Sequence, residues 1–399
     1  MRDARIALPA RALSVAGTAV TSIAAILLLH DGGIGALGVA AFLAALVVPT
    51  VATIGVAGRV ADTLDSRIVL TTASLVQAAA ACALGFAPGP AMIFVTGVVI
   101  ALAQAFAQPT WQALVPRIVG EDRIGQAISW QQGLAAIASP VGAGLGGLLV
   151  TLDEVAWGFW ADAATYVALA AAAMLIRTRR RGGGAIGDAP RSWTAGIRTV
   201  ARDRILVPLF ASILVFVVLV EGVNPVEVFL VRDALRASDW QYGLTEFFAG
   251  AGGLIGAAVA GRITANTARA RAATIGFGSA AAVMVGIGVA PGYWIYAASI
   301  TVLIAAFGTG NATFGALLTS RTPEAERGRV YAALNGLART ASFLALALGG
   351  IANALLGPRT TFVVAGIAGA LTMIVAGVAV LRAQRTESQA VASASTPVA

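Results

Sequence analysis

The chain contains no lysine, one cysteine (Cys82) and one histidine (His30) in 399 residues. A lone cysteine excludes an internal disulfide, and its position inside an apolar run makes the thiol a packing group. One histidine without a Cys/His cluster leaves no ligand set for a metal, so neither a metal nor another cofactor is expected. Charge is scarce: 12% of residues are charged, roughly half the share of a soluble domain. No G-x-x-x-x-G-K-[ST] loop exists to cradle a nucleotide, and no nucleophile–base constellation points to an enzyme. Strand-type alternation is absent. The net charge of +8 does not indicate nucleic acid, because the basic residues, all arginine, fall mostly in interruptions between apolar runs rather than on one face of a soluble domain.

What is present is apolar length. Hydrophobic residues make up 58% of the chain and the mean hydropathy is +0.85. A bilayer core about 30 Å thick needs roughly 20 apolar residues per helical crossing. Twelve such segments can be counted: 8–29, 35–57, 68–87, 91–114, 125–150, 156–176, 205–229, 241–261, 272–290, 292–318, 329–356 and 360–381. Met1 to Leu29, with Arg2 and Arg5 before an apolar core, has the outline of a signal peptide; the many apolar segments after it favour a retained first helix. The expected fold class is all-α integral membrane. The expected organisation is an N-terminal six-helix bundle (1–176), a linker (177–204), a C-terminal six-helix bundle (205–381) and a disordered tail (382–399).

Of the 27 arginines, 23 lie in alternate connections, the linker or the termini, which predicts that both termini are cytoplasmic. Trp157 and Trp160 read as an aromatic belt, with His30 and Asp162 near the outer surface. The linker opens with Arg177-Thr178-Arg179-Arg180-Arg181, passes through Gly182-Gly183-Gly184 and Pro190, and then sets Trp193, Ile197 and Val200 against Arg198, Arg202 and Arg204. That pattern predicts an amphipathic helix on the inner leaflet.

The halves repeat. An offset of 203 residues aligns Gly58-Arg59 with Gly261-Arg262, Ala87-Pro88-Gly89 with Ala290-Pro291-Gly292, and Gly146-Gly147 with Gly349-Gly350. Each half has six crossings, so the second starts in the same orientation as the first. A parallel repeat of this kind implies a pseudo-twofold along the membrane normal.

Gly58 to Arg67, GRVADTLDSR, is the first strongly polar interruption. Gly58 allows a tight exit, and Arg59 and Arg67 bracket Asp62. It resembles the helix 2–3 loop of the major facilitator superfamily, G-x-x-x-D-R-x-G-R, with Thr63 where a basic residue is usual. Gln108-Pro109-Thr110-Trp111-Gln112-Ala113-Leu114-Val115-Pro116 and Pro323-Glu324-Ala325-Glu326-Arg327-Gly328-Arg329-Val330 resemble the siderophore- and macrolide-exporter branch, the second matching its P-E-x-x-R-G-R-V loop. The resemblance implies alternating access between two bundles, with Gly58, Arg59, Asp62, Arg67, Gly261 and Arg262 as a cytoplasmic gate. It implies proton-driven export of a lipophilic small molecule or siderophore by a monomer in a bacterial-type inner membrane. Import of a small organic solute and a transport-inactive scaffold or receptor also remain compatible with the residues.

The fifth segment, GLAAIASPVGAGLGG from Gly133 to Gly147, puts small residues on one helix face and a proline in its middle. Close helix packing explains it. The resemblance adds a hinge at Pro140, Gly142, Gly146 and Gly147. Charges at membrane depth are costly and mark candidate sites. Glu221, close before Asn224-Pro225, Glu246 and Arg339 qualify, Arg339 roughly 15 Å past Arg329 by helical rise. Arg339 with either glutamate makes a buried pair that locks the C-terminal bundle, or one in which Glu221 exchanges a proton and Arg339 holds an anion or substrate. Gln104, Gln108, Trp130, Gln131, Asn311 and Asn335 are further cavity candidates. No carboxylate or arginine is expected within the first or fourth segment.

Overall fold

A computed structural model describes residues 2–120, 123–178 and 193–394; the Arg179–Arg181 run, the three glycines and Pro190 lie outside them. The described residues are helical, without a strand. Along a lipid-exposed span only a helix satisfies every backbone N–H and C=O internally. The helices are α1 (Arg2–Asp31), α2 (Gly35–Thr63), α3 (Ser66–Phe86), α4 (Pro90–Val119), α5 (Ile124–Thr151), α6 (Val155–Leu175), α7 (Trp193–Ala201), α8 (Leu206–Phe229), α9 (Asp239–Ala260), α10 (Asn266–Gly288), α11 (Tyr293–Arg321), α12 (Glu324–Leu356) and α13 (Pro358–Ala394). All but α7 are long and apolar enough to cross a membrane, twelve in all. Many large apolar side chains stay exposed along them, among them Leu145, Ile275 and Val375, as lipid-facing helices require.

Turn chemistry sets the boundaries. Asp65 caps α3, its side chain accepting from the Arg67 N–H at 2.8 Å. The α2–α3 connection is therefore only Leu64 and Asp65, and Gly58, Arg59 and Asp62 ride the last turns of α2 rather than a loop. Gly89 before Pro90 starts α4, and Gly292 starts α11 in the corresponding place. Gly120 and Gly357, at φ +82° and +77°, end α4 and α12 in a conformation that side chains resist. A single π-helical turn, Leu230–Ala234, follows α8.

The chain divides into two compact units. The first holds α1–α6 together with Val231–Phe247; the second holds α7, α8, the rest of α9 and α10–α13. In the first, α1 packs on α5 and α6, and α3 on α4 and α6; in the second, α8 packs on α12 and α13, and α10 on α11 and α13. The pairing is the same, carried from one half to the other. Repeat-related glycines sit in corresponding seams of the two units. A Cβ on Gly146 of α5 would come 2.7 Å from the Val20 carbonyl oxygen of α1, and one on Gly349 of α12 1.6 Å from that of Gly222 in α8.

Polar ties close the arginine-rich end of each unit. Asp3 accepts from the N–H groups of Arg177 and Thr178 at 3.1 and 2.8 Å, and Arg67 donates to the Ile176 carbonyl at 2.6 Å. In the second unit Arg321 bridges Asp203 and Glu387, each at 2.6 Å. Arg327 donates to the carbonyls of Thr319 and Thr322 while Thr199 of α7 donates to Glu326. Arg327 of the P-E-x-x-R-G-R-V motif thus braces the α11–α12 turn, and Glu326, at one of its variable positions, ties that turn to α7. With Glu387 held and Arg271 donating to Gln384 at 3.4 Å, α13 runs on to Ala394. Residues 382–394 are helical, where the sequence suggested a disordered tail.

Candidate functional site

The first unit holds a half-open cavity of about 470 Å³. Its walls come from α1 to α6, with Glu246 of α9 added. Helical spacing builds them. Arg11, Ser14, Thr18 and Thr21 recur at three- and four-residue intervals and share one stripe of α1; Gln104, Gln108 and Trp111 do the same on α4. The small face of α5 lets α1 and the start of α9 come close to it. A Cβ on Gly142 would lie 2.1 Å from the Ala16 carbonyl oxygen of α1, and one on Gly147 2.4 Å from that of Asp239. Pro140, Gly142, Gly146 and Gly147 are all buried there.

Asp162 of α6 is fully buried. Thr21 donates to its Oδ2 at 2.7 Å. Thr165 donates to the Asp162 main-chain carbonyl at 2.7 Å and stands 3.3 Å from Oδ1. Beside it, Thr18 donates to the Ser14 carbonyl at 2.8 Å, so in the 2.9 Å contact of Thr18 with Tyr166 the phenol is the donor. A second chain runs along α4. Gln77 donates to Gln104 at 3.1 Å, Gln104 to Gln108 at 3.4 Å, and Arg11 to Gln108 at 3.5 Å with its guanidinium 5.2 Å from the Trp111 ring centroid. Among the described residues Arg11 has no acidic partner, and neither Asp162 nor Glu246 has a basic one. A second cavity of about 430 Å³ meets the first at Arg11 and Trp111 and adds Gln112, Gln131 and Gln132.

Of the residues chosen from sequence, Gln104 and Glu246 therefore line the first cavity, and Gln108 and Gln131 the second, which adjoins it. Trp130 and Asn335 are exposed and outside these walls. Glu221 is half-buried in α8, and Asn224 and Asn311 are exposed. Arg339 is exposed on α12 and forms no ion pair with Glu221 among the described residues. Gly261 and Arg262 are exposed in the α9–α10 turn.

Arg11, Asp162, Thr21 and Tyr166 were not singled out. Arg11 lies within α1 and within the 8–29 segment itself, which corrects the expectation of a first segment without arginine. Asp162 lies eight residues into α6, about 10 Å from its start by helical rise, buried rather than at the surface. Trp160 covers Gly85 of α3 and packs on Phe86 at 5.5 Å, so it is a seam residue, while Trp157 is exposed. At the opposite end from the arginine-rich turns, His30 sits 3.0 Å from Asp31 and 2.9 Å from Asp233, and Arg232 pairs with Asp239 at 2.9 Å.

Twelve membrane-length helices in two units of matching pairing, one of them holding a mostly apolar cavity with a few polar groups, define a polytopic membrane protein. The chain belongs to the Major Facilitator Superfamily, whose sequence profile matches residues 7–345 and 223–398. Membership in this family supports a transporter. Solved structures agree on the fold. The nucleoside transporter NupG is 13% identical with a TM-score of 0.68, covering 95% of this chain and 99% of that one. A bacterial homologue of the iron transporter ferroportin is 16% identical at 0.68, covering 96% and 98%. A bacterial homologue of the lysosomal transporter Spinster is 12% identical at 0.69, covering 96% and 97%. No curated protein sequence matches the chain significantly.

Proposed function

We propose that the protein is a proton-coupled exporter of a small lipophilic molecule or siderophore. It works as a monomer by alternating access in a bacterial-type inner membrane, with both termini cytoplasmic. The observation that carries this reading is the 470 Å³ cavity of the first unit. Its lining is mostly apolar, as a lipophilic guest requires, yet it holds Arg11, Asp162 and Glu246 without an ion pair among them. Groups of that kind can bind substrate or exchange protons. The clustering of arginine at one end supports the orientation. The resemblance of the α11–α12 turn and of α5 to exporters supports the direction.

In this reading Gly58, Arg59, Asp62 and Arg67, with Gly261 and Arg262, close the cytoplasmic entrance. Pro140, Gly142, Gly146 and Gly147 serve as the hinge face. A susceptibility screen of a deletion strain selects compounds, and vesicles of both orientations then test direction. The reading expects accumulation in inside-out vesicles on acidifying their lumen. Accumulation only in right-side-out vesicles would make the protein an importer, and none in either would leave a scaffold.

A further inference from the structure

We infer that Asp162 is the group that carries the exchanged proton, held as a carboxylic acid by Thr21 and Thr165; this rests on the proton-coupled reading above. Counting hydrogens around the carboxyl gives the argument. Thr21 makes one contact here and donates its hydrogen to Oδ2 at 2.7 Å. Thr165 also owns a single hydroxyl hydrogen, and the shorter of its two contacts, 2.7 Å to the Asp162 carbonyl, takes it. The remaining 3.3 Å contact joins Thr165 Oγ1 to Asp162 Oδ1. A hydrogen lies between those oxygens only if Oδ1 bears it. The arrangement therefore fits Oδ1–H donating to Thr165 and Oδ2 accepting from Thr21.

The surroundings agree. The other titratable groups facing the cavity are Arg11 from α1, Tyr166 from α6 and Glu246 from α9; α2, α3, α4 and α5 contribute no charged side chain to it. Tyr166 is spent on Thr18. Arg11 is ten residues from Thr21 along α1, about 15 Å by helical rise. A carboxylate fully buried with hydroxyls alone and no cation carries a desolvation cost that a bound proton removes.

The site is also placed to respond to movement. A Cβ on Gly17 would lie 2.4 Å from Oδ1, so α1 lies directly against the carboxyl. Separation of α1 from α6 withdraws the Thr21 hydroxyl and admits water. The O–H bond then breaks heterolytically, the proton passes to water and the carboxylate remains. Reprotonation from the other side restores the seam.

The test needs no substrate. Purified protein in lipid is taken from acidic to alkaline buffer while infrared difference spectra record the carbonyl band of a protonated carboxylic acid. The expected result is a band that Asp162→Asn abolishes and that Glu246→Gln and Glu221→Gln leave in place. Should Asp162→Asn fail to fold, Thr165→Val serves: loss of the acceptor for the acid O–H shifts the band to higher wavenumber. A band that survives Asp162→Asn, or is unmoved by Thr165→Val, overturns the assignment. So does bleaching of the band when sodium replaces choline at constant pH, which would make this an alkali-cation site; insensitivity to sodium supports a proton site. Failure of the proton-coupled reading is distinguishable, since it would show as no substrate-driven proton flux with the Asp162 band intact.

Discussion

Replacing Gly142 by alanine puts one methyl group 2.1 Å from the Ala16 carbonyl oxygen and within 2.8 and 2.9 Å of that residue's carbonyl carbon and Cα. All three are backbone atoms, so no rotamer change relieves the clash. Reaching even a tight contact near ~3.0 Å moves α1 away from α5 by about 1 Å. A gap of that size forfeits roughly a quarter to a half of each dispersion contact along the seam, and every contact is worth about 0.1–0.2 kcal/mol. Over some tens of atom pairs the loss is about 1–3 kcal/mol, the usual cost of overpacking. Gly144 supplies the control: it lies in the same helix with nothing within 4 Å of its Cβ position. Both variants gain the same helix propensity, about 0.5–1 kcal/mol for Gly→Ala, so the difference between them isolates the clash. Thermal unfolding in detergent, followed by tryptophan fluorescence, should show Gly142→Ala melting several degrees below Gly144→Ala, with the latter at or above the parent. Equal stability of the two would refute the close α1–α5 packing on which the cavity wall depends.

Asp65→Ala removes the cap of α3 and should cost about 1 kcal/mol in the same melt, with Asp65→Asn largely restoring it. Arg321→Gln breaks the bridge to Asp203 and Glu387. It should cost about 1 kcal/mol or less, since the pair is partly exposed; limited proteolysis should then cut within residues 382–394 faster than in the parent, and an unchanged cutting rate would show that the bridge does not hold that stretch. Glu221→Gln should keep its proton-coupled flux and the pH dependence of that flux if Asp162 carries the proton, and loss of either would return that role to Glu221.

Most of the fold was legible in the sequence, because the physics that decides it is one-dimensional. Twenty apolar residues in a row, tight Ala-Pro-Gly turns and interruptions rich in arginine leave little choice of topology. The repeat at 203 residues could be read for the same reason: Gly146 and Gly349 are both fixed by backbone contacts that only glycine permits. Helix ends were harder. Asp62 invited a loop, but Asp65 is the cap, and α2 runs on through the arginine beside Gly58. The site was legible only in part. Gln104 and Gln108 fall four apart on one stripe, and Glu246 announced itself as a charge at depth. Arg11 and Asp162 hid because each sits near a segment end, where a charge usually means a surface. Their surroundings come from distant helices: Arg11 lies over Trp111 and near Gln108 of α4, and Asp162 accepts from Thr21 of α1 more than a hundred residues away.

The most direct test of the account is to fill the cavity. Ala101 lines it, and Ala101→Trp would place an indole in that space. Compounds selected by the susceptibility screen are added to proteoliposomes that report internal pH, with parent and variant reconstituted at equal density. The parent should show substrate-driven proton movement and the variant, still folded and monodisperse, should show none; undiminished flux through the filled cavity would contradict the claim that substrate binds there.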